Sequence, residues 1–475
     1  DKKEEDFDEE VSKAGLEITK RLNEKYPDEK FPKFHFLYRF RQWNEKEECF
    51  LGWERKRGLL SQFNNYLLKN SKNEFRVNTI DLEKLPNIKY VITLDADTEL
   101  VLNTGLELIG AMSHILNKPD IEDGIVKSGH GILQPRVGIS LLAADKSKFA
   151  QIYSGSPGID SYTNAISDIY QDNFEEGIFT GKGIYDLRAF SEVLKNQIPD
   201  NTVLSHDLLE GCYLRCGLAS DIILMDGYPT SYMSFKTRLS RWTRGDWQIS
   251  KWLFKNIKCK DGVKRKNPLG LVSKYKILNN LVKSIFLPLA LLAIVFLSLI
   301  NVFFNIKIWP VMTIAILSII IPSIVEIFNR IIYRKEGESF QKTFHKGVTG
   351  VKASCIRGIL ELGTLPDKAF TLSNSIIKSI YRMCKSKKHL LEWMTAEEAE
   401  KNAKTDLISY YKNMWPNIVM GVFFLLLAYK NPAYLIFAIL FFITPSVTMI
   451  ISKKNEKHTA VSKLNENDKK YLLEI

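Results

Sequence analysis

A chain of 475 residues is too long for one small domain and predicts two or three units. Its 45% hydrophobic content is ordinary for a globular protein but unevenly spread, with long apolar runs confined to the part after about residue 270. The net charge of +12 would suit a polyanion, but the cations flank those apolar runs, so a lipid bilayer accounts for them and nucleic acid is set aside as a partner.

Residues 1–30 read as a solvated helix, with Val11, Ala14, Leu16, Ile18 and Leu22 at roughly helical spacing in a charged background. The segment begins at Asp1 without a signal peptide, which fits a piece of a longer polypeptide. Residues 34–39 (Phe-His-Phe-Leu-Tyr-Arg) alternate like a strand. Residues 52–58 (Gly-Trp-Glu-Arg-Lys-Arg-Gly) then open a helix over 59–68. Cations at a helix N-terminus are unfavourable unless an anion sits there, and a nucleotide diphosphate would supply one. Trp53 and Arg55 are therefore site candidates, a solvated helix start being the alternative.

Residues 89–100 (Lys-Tyr-Val-Ile-Thr-Leu-Asp-Ala-Asp-Thr-Glu-Leu) carry a β-branched apolar run that ends in carboxylates. This is the pattern of a buried parallel strand delivering polar groups to the carboxyl edge of an α/β sheet, where ligands bind. Asp95 and Asp97 share a face if the backbone stays extended, and their hard oxygens suit Mg²⁺ or Mn²⁺ bridging to a phosphate. The competing reading is a pair that only caps a turn. A helix over 103–116 and a strand over 131–136 follow. The aromatic, turn-rich stretch 149–174 contains Tyr162, and residues 177–185 form a glycine-spaced loop and strand that include Lys182.

Ser205 or His206 precedes a helix that runs through Glu210 to Arg215, with Asp207 in its first turn, so Asp207 is either a cap or a proton acceptor. Residues 238–248 bring Arg238, Arg241, Trp242, Arg244, Asp246, Trp247 and Gln248 together, combining bidentate phosphate donors with flat stacking faces. Cys212 and Cys216 fit one helix face, and the six cysteines show no metal or disulfide framework.

Apolar runs over 277–305 and 308–333, then 414–429 and 432–452, predict two membrane hairpins with tiny turns, the 414–429 run being short. Basic residues at their other ends place residues 1–270 in the cytoplasm by the positive-inside rule. The domains are then 1–270, a transmembrane hairpin 271–335, amphipathic helices 336–412 at the cytoplasmic interface, and a second hairpin with a basic tail 413–475. Residues 389–393 (His-Leu-Leu-Glu-Trp) read as an interfacial anchor.

The motifs at 52–58, 94–98, 181–186, 205–211 and 241–248, with 365–369 and 390–393 in the tail, together closely resemble the glycosyltransferase domain of cyclic β-1,2-glucan synthases. The resemblance covers nearly the whole chain. It implies an α/β GT-A-type domain followed by α-helical transmembrane and interfacial helices, in the inner (cytoplasmic) membrane. It also implies a UDP-glucose donor, a β-1,2-glucan acceptor, and further domains of a longer polypeptide. By motif, Asp95 and Asp97 carry over as the nucleotide and metal pair, Asp207 as the base, and Arg238, Arg241, Trp242 and Arg244 as the acceptor and pyrophosphate block. Two departures stand out. Related processive synthases have Gln where this chain has Arg238, and the first nucleotide-binding strand of that fold, expected before Asp1, is missing. Tyr162 is the candidate for the hydroxyl that receives the first glucose. The alternatives are another processive membrane synthase, making cellulose or hyaluronan, and a non-catalytic membrane scaffold.

Overall fold

The apolar runs of the first half of the chain become a mixed five-stranded sheet flanked by helices. The computed structural model describes residues 2–28, 30–71, 74–154, 168–332 and 350–455. We number the strands of the central sheet β1 (Tyr90–Thr93), β2 (Glu99–Leu100), β3 (Ile132–Ile139), β4 (Gly183–Asp186) and β5 (Gly217–Asp226). They lie in the order β1-β4-β3-β5-β2, and only the β3–β5 pair is parallel. Alternation along the strands divides their side chains between two faces. Leu133 and Ile184 pack with Leu108 and Met112 of the Thr104–Ser113 helix. Their neighbours Ile132 and Tyr185 face the opposite core, with Phe190, Val193, Leu209 and Tyr213.

The expected buried parallel strand at 90–93 is corrected by this topology. It is an edge strand of the central sheet, antiparallel to β4, and only Thr93 of its four residues is buried. A β-branched run suits any half-covered pleated surface, so its composition does not reveal the direction of its neighbour. The helix foreseen over 59–68 starts earlier, at Arg55, and the one foreseen from residue 207 ends at Tyr213. The 34–39 strand shortens to Leu37–Arg39 and pairs with Phe75–Asn78 outside the central sheet.

Among the described residues, three helices are long and apolar enough to cross a membrane: Leu271–Phe304, Trp309–Ile332 and Pro432–Ile451. Trp415–Ala428 has 14 residues, roughly 21 Å at 1.5 Å per residue, which is short of a hydrocarbon core about 30 Å thick. Between these helices and the sheet unit lie Val351–Gly363 and Leu365–Tyr381. The second of them buries Leu365 through Ala369 and packs against both the Tyr232–Gln248 helix and the Leu271–Phe304 helix.

Asp367 is the hub of that junction. Its carboxylate accepts from the Tyr232 hydroxyl at 2.8 Å and the Lys236 ammonium at 2.6 Å, while its backbone N–H donates to Asn417 at 3.1 Å. Burial pushes the Asp367 carboxyl above its ordinary pKa, and Lys236 and Tyr232 pull it back. Removing one partner of a buried charge pair strands the other. Asp367→Ala should therefore lower the unfolding free energy by on the order of 3 kcal/mol. Asp367→Asn, which keeps the shape and one acceptor oxygen for Lys236, should cost less. Unfolding of the detergent-solubilised protein measures this, and an unchanged Asp367→Ala midpoint would contradict the assignment.

Candidate active site

β1 stops at Thr93, and the chain turns at once, closed by the Thr98 N–H donating to the Asp95 carbonyl at 3.1 Å. Asp95 and Asp97 therefore lie in a turn beyond the strand rather than on the extended face expected for them. Asp95 is half-buried, with Lys56 Nζ 2.5 Å from one carboxylate oxygen and Lys182 Nζ 3.4 Å from the other. Burial would raise its pKa, but the two ammonium groups outweigh burial and hold it below the usual carboxylate range. Lys182 is also paired with Asp226, at the end of β5, and Asp226 accepts from the Thr98 hydroxyl at 2.9 Å. Asp97 is exposed and has no hydrogen-bond or ion-pair partner among the described residues. It sits beside Gly227, where a Cβ would come within 3.2 Å of its Oδ2.

Two of the three carboxylates, Asp95 and Asp226, thus meet the two ammonium groups, and Asp97 is exposed without one among the described residues. Hard oxygen donors with spare negative charge fit a divalent cation such as Mg²⁺ or Mn²⁺. Asp97 would be its main ligand, since Asp95 is already shared with lysines.

Asp207 is the first residue of the Asp207–Tyr213 helix, and no side chain caps that helix. The Asp207 Oδ1 atom is buried without a hydrogen-bond partner, so capping does not account for the residue. Gly181 backs the carboxylate closely. Its φ is +91°, and a Cβ there would lie 2.7 Å from Oδ1, so both the backbone and the contact favour glycine. Lys56 also donates to the Gly181 carbonyl at 2.8 Å. Burial disfavours its charge, but Asp207 and Asp95 outweigh burial and raise its pKa. Lys56 thus touches Asp95 and the Gly181 carbonyl, and Gly181 lies against Asp207, so the Asp-x-Asp turn and Asp207 are close neighbours. Behind them, His206 Nδ1 lies 2.8 Å from Glu210 Oε1 and 3.6 Å from Asp207 Oδ1. The His206 ring and the Glu210 carboxylate are close enough to pair when the imidazole is protonated.

Arg241 reaches the same cleft from the Tyr232–Gln248 helix. Burial and the neighbouring Arg238 push its pKa down to about 10, against the pull of Asp207 and Asp95. Arg238 covers the Trp242 ring at 4.4 Å. Arg244 donates to the Glu392 carboxylate at 3.1 Å and to the Glu392 carbonyl at 2.9 Å. The rest of the block serves packing. Trp247 donates to Ser284 at 2.9 Å, and Asp246 accepts from Asn280 at 3.1 Å. Gln248 joins the Leu204 N–H at 2.6 Å to the Leu390 carbonyl at 2.8 Å. Trp53 lies beneath Lys260 at 4.6 Å, and Arg55 donates to the Leu391 carbonyl at 2.6 Å.

Residues 389–393, expected to anchor at the membrane interface, instead dock on the sheet unit. Leu390 and Leu391 are buried, and Trp393 lies against Arg55 and Arg241. Tyr162 lies outside the described residues. Sequence reasoning passed over Lys56 and Asp226. Lys56 stood inside the basic 52–58 motif, and Asp226 ends the apolar run 222–225 in the same way that Asp95 follows β1.

No family model matches the chain. It is 32% identical over 457 residues to the cyclic beta-(1,2)-glucan synthase NdvB of Rhizobium meliloti (strain 1021). The match takes in 93% of this chain and 16% of that protein, so the chain spans about a sixth of its curated relative. The likeness to a glycosyltransferase domain of the cyclic β-1,2-glucan synthases, carried by the motifs, thus extends along nearly the whole chain.

Proposed function

We propose that this chain is an inverting glycosyltransferase of GT-A type, held in a membrane, which transfers glucose from UDP-glucose to a growing β-1,2-glucan. The observation that carries this reading is the convergence on Lys56, which joins the Asp-x-Asp turn to the loop behind Asp207. A scaffold that only docked partners would have no need of an unpartnered carboxylate backed by glycine in such a cleft. The basic flanks of the apolar helices favour a cytoplasmic sheet unit, and the low coverage of the relative favours further domains in a longer polypeptide.

UDP-glucose carries its glucose through an α bond, so a β product requires one in-line displacement with inversion. That displacement needs one base for the acceptor hydroxyl and no enzymic nucleophile. Asp207 is the base: its side chain is 27% exposed, enough to meet a sugar hydroxyl. Arg241 faces the same cleft and stabilises the charge that develops on the departing diphosphate. Trp242, stacked by Arg238, offers a face to the acceptor. Asp97, with Asp95 beside it, would hold Mg²⁺ or Mn²⁺, which would supply Lewis-acid neutralisation of the diphosphate.

Two variants test the roles. Asp97→Ala should leave the protein folded and membrane-inserted while reducing transfer at least about a hundredfold. The wild type should lose activity in excess EDTA and regain it with Mn²⁺ or Mg²⁺, and full activity in EDTA would refute the metal assignment. Asp207→Asn should retain UDP-glucose binding, measured by calorimetry, and lose transfer by about a hundred- to ten-thousand-fold. A variant that keeps most of the wild-type rate would exclude Asp207 as the base.

A further inference from the structure

His206 and Glu210 are four residues apart, hence on one side of the first helical turns, and both are deeply buried, at 5% and 1% exposure. A protonated imidazole gives the buried Glu210 carboxylate a cation in contact, which favours the charged form of His206. Burial works against that charge, but Glu210 and then Asp207 outweigh it and raise the His206 pKa above its ordinary value. The other charges facing the pair come from neighbouring elements. Arg57 opposes the imidazolium, although it is itself paired with Glu54 at 2.5 Å and Asp200 at 3.5 Å. Lys56 responds to both Asp207 and Glu210, and the Tyr185 phenol responds to Glu210.

We propose that His206, held as an imidazolium by Glu210, is the positioning residue for Asp207: its charge draws Oδ1 inward, 3.6 Å away, and leaves the other carboxylate oxygen for the acceptor hydroxyl. The proposal rests on the reading of Asp207 as the base. Its geometric support is that Oδ1 is buried without a hydrogen-bond partner while the Asp207 side chain is 27% exposed. Among the described residues no hydrogen-bond donor reaches the inward oxygen, and the His206 ring is the cationic group set 3.6 Å from it. Glu210 acts at one remove, since it holds the charge on His206.

The pH dependence has a definite sign. The positioning charge is present below the His206 pKa and is lost as pH rises through it, so kcat should fall on the alkaline side. Replacing Glu210 by Gln removes the main group that raises that pKa, and the alkaline limb should move down by about one unit or more. The experiment is the pH profile of kcat and of KM for UDP-glucose, measured on the full-length membrane protein for the wild type, Glu210→Gln, His206→Gln and Asp207→Asn. Glu210→Gln should show the shifted limb with KM unchanged. His206→Gln should lose the limb and fall about 10- to 100-fold in kcat, the scale of a misplaced catalytic group. A merely structural pair would lower the rate and leave the limb in place, which would overturn the proposal. An inactive Asp207→Asn alongside an unmoved limb rejects the positioning role alone. An active Asp207→Asn rejects the base as well.

Discussion

The Lys56 ammonium lies 2.5 Å from Asp95 and 2.8 Å from the Gly181 carbonyl, and it ties together three stretches far apart in the chain. It comes from the helix opened by the 52–58 motif, and it reaches the turn after β1 and the glycine loop before β4. Without a cation there, Asp95, Asp207 and Glu210 would repel one another across a partly buried cleft. The cluster is therefore held by charges that need one another. Lys182 repeats the arrangement one layer deeper, bridging Asp95 and the buried Asp226. What remains uncompensated is Asp97, at the place where a cation and a diphosphate would add their own charges.

The Tyr232–Gln248 helix carries that arrangement to the membrane side. Its first turns bind Asp367 through Tyr232 and Lys236, its middle presents Arg241 to the cleft, and its last turns bind the Leu271–Phe304 helix through Asp246 and Trp247. One rigid element thus links the proposed chemistry to the apolar helices. Residues 389–394 lie across this helix, with Glu392 gathering Arg244, Lys378 and Arg382; against partial burial, Arg382 and Lys378 draw its pKa down to about 2.

Much of the site was legible in residue order, because a strand that ends in carboxylates leaves a periodic signature. Asp95 and Asp97 were singled out in this way and Asp207 from its place at a helix start, and the structure sets Asp95 and Asp207 on either side of Lys56 and Gly181. The direction of β1 was not legible, since β-branched composition reports cover and not neighbours. β5 was passed over because residues 217–221 (Gly-Leu-Ala-Ser-Asp) dilute its apolar end. The pairing of Lys56 with Asp95 spans 39 residues and that of Arg244 with Glu392 spans 148, and no local pattern encodes such partners. Motif density also overstated the site, because Asp246, Trp247 and Gln248 stand beside Arg241 in sequence yet point to neighbouring helices and loops.

The central claim is a single inverting displacement from UDP-glucose onto the 2-hydroxyl of a glucan. Its most direct test is to incubate the full-length protein in membranes with UDP-glucose and determine the linkage and anomeric configuration of the product by methylation analysis and proton NMR. The expected product is a glucan of β-1,2 bonds. An α-linked product, a different linkage position, or no consumption of UDP-glucose would contradict it.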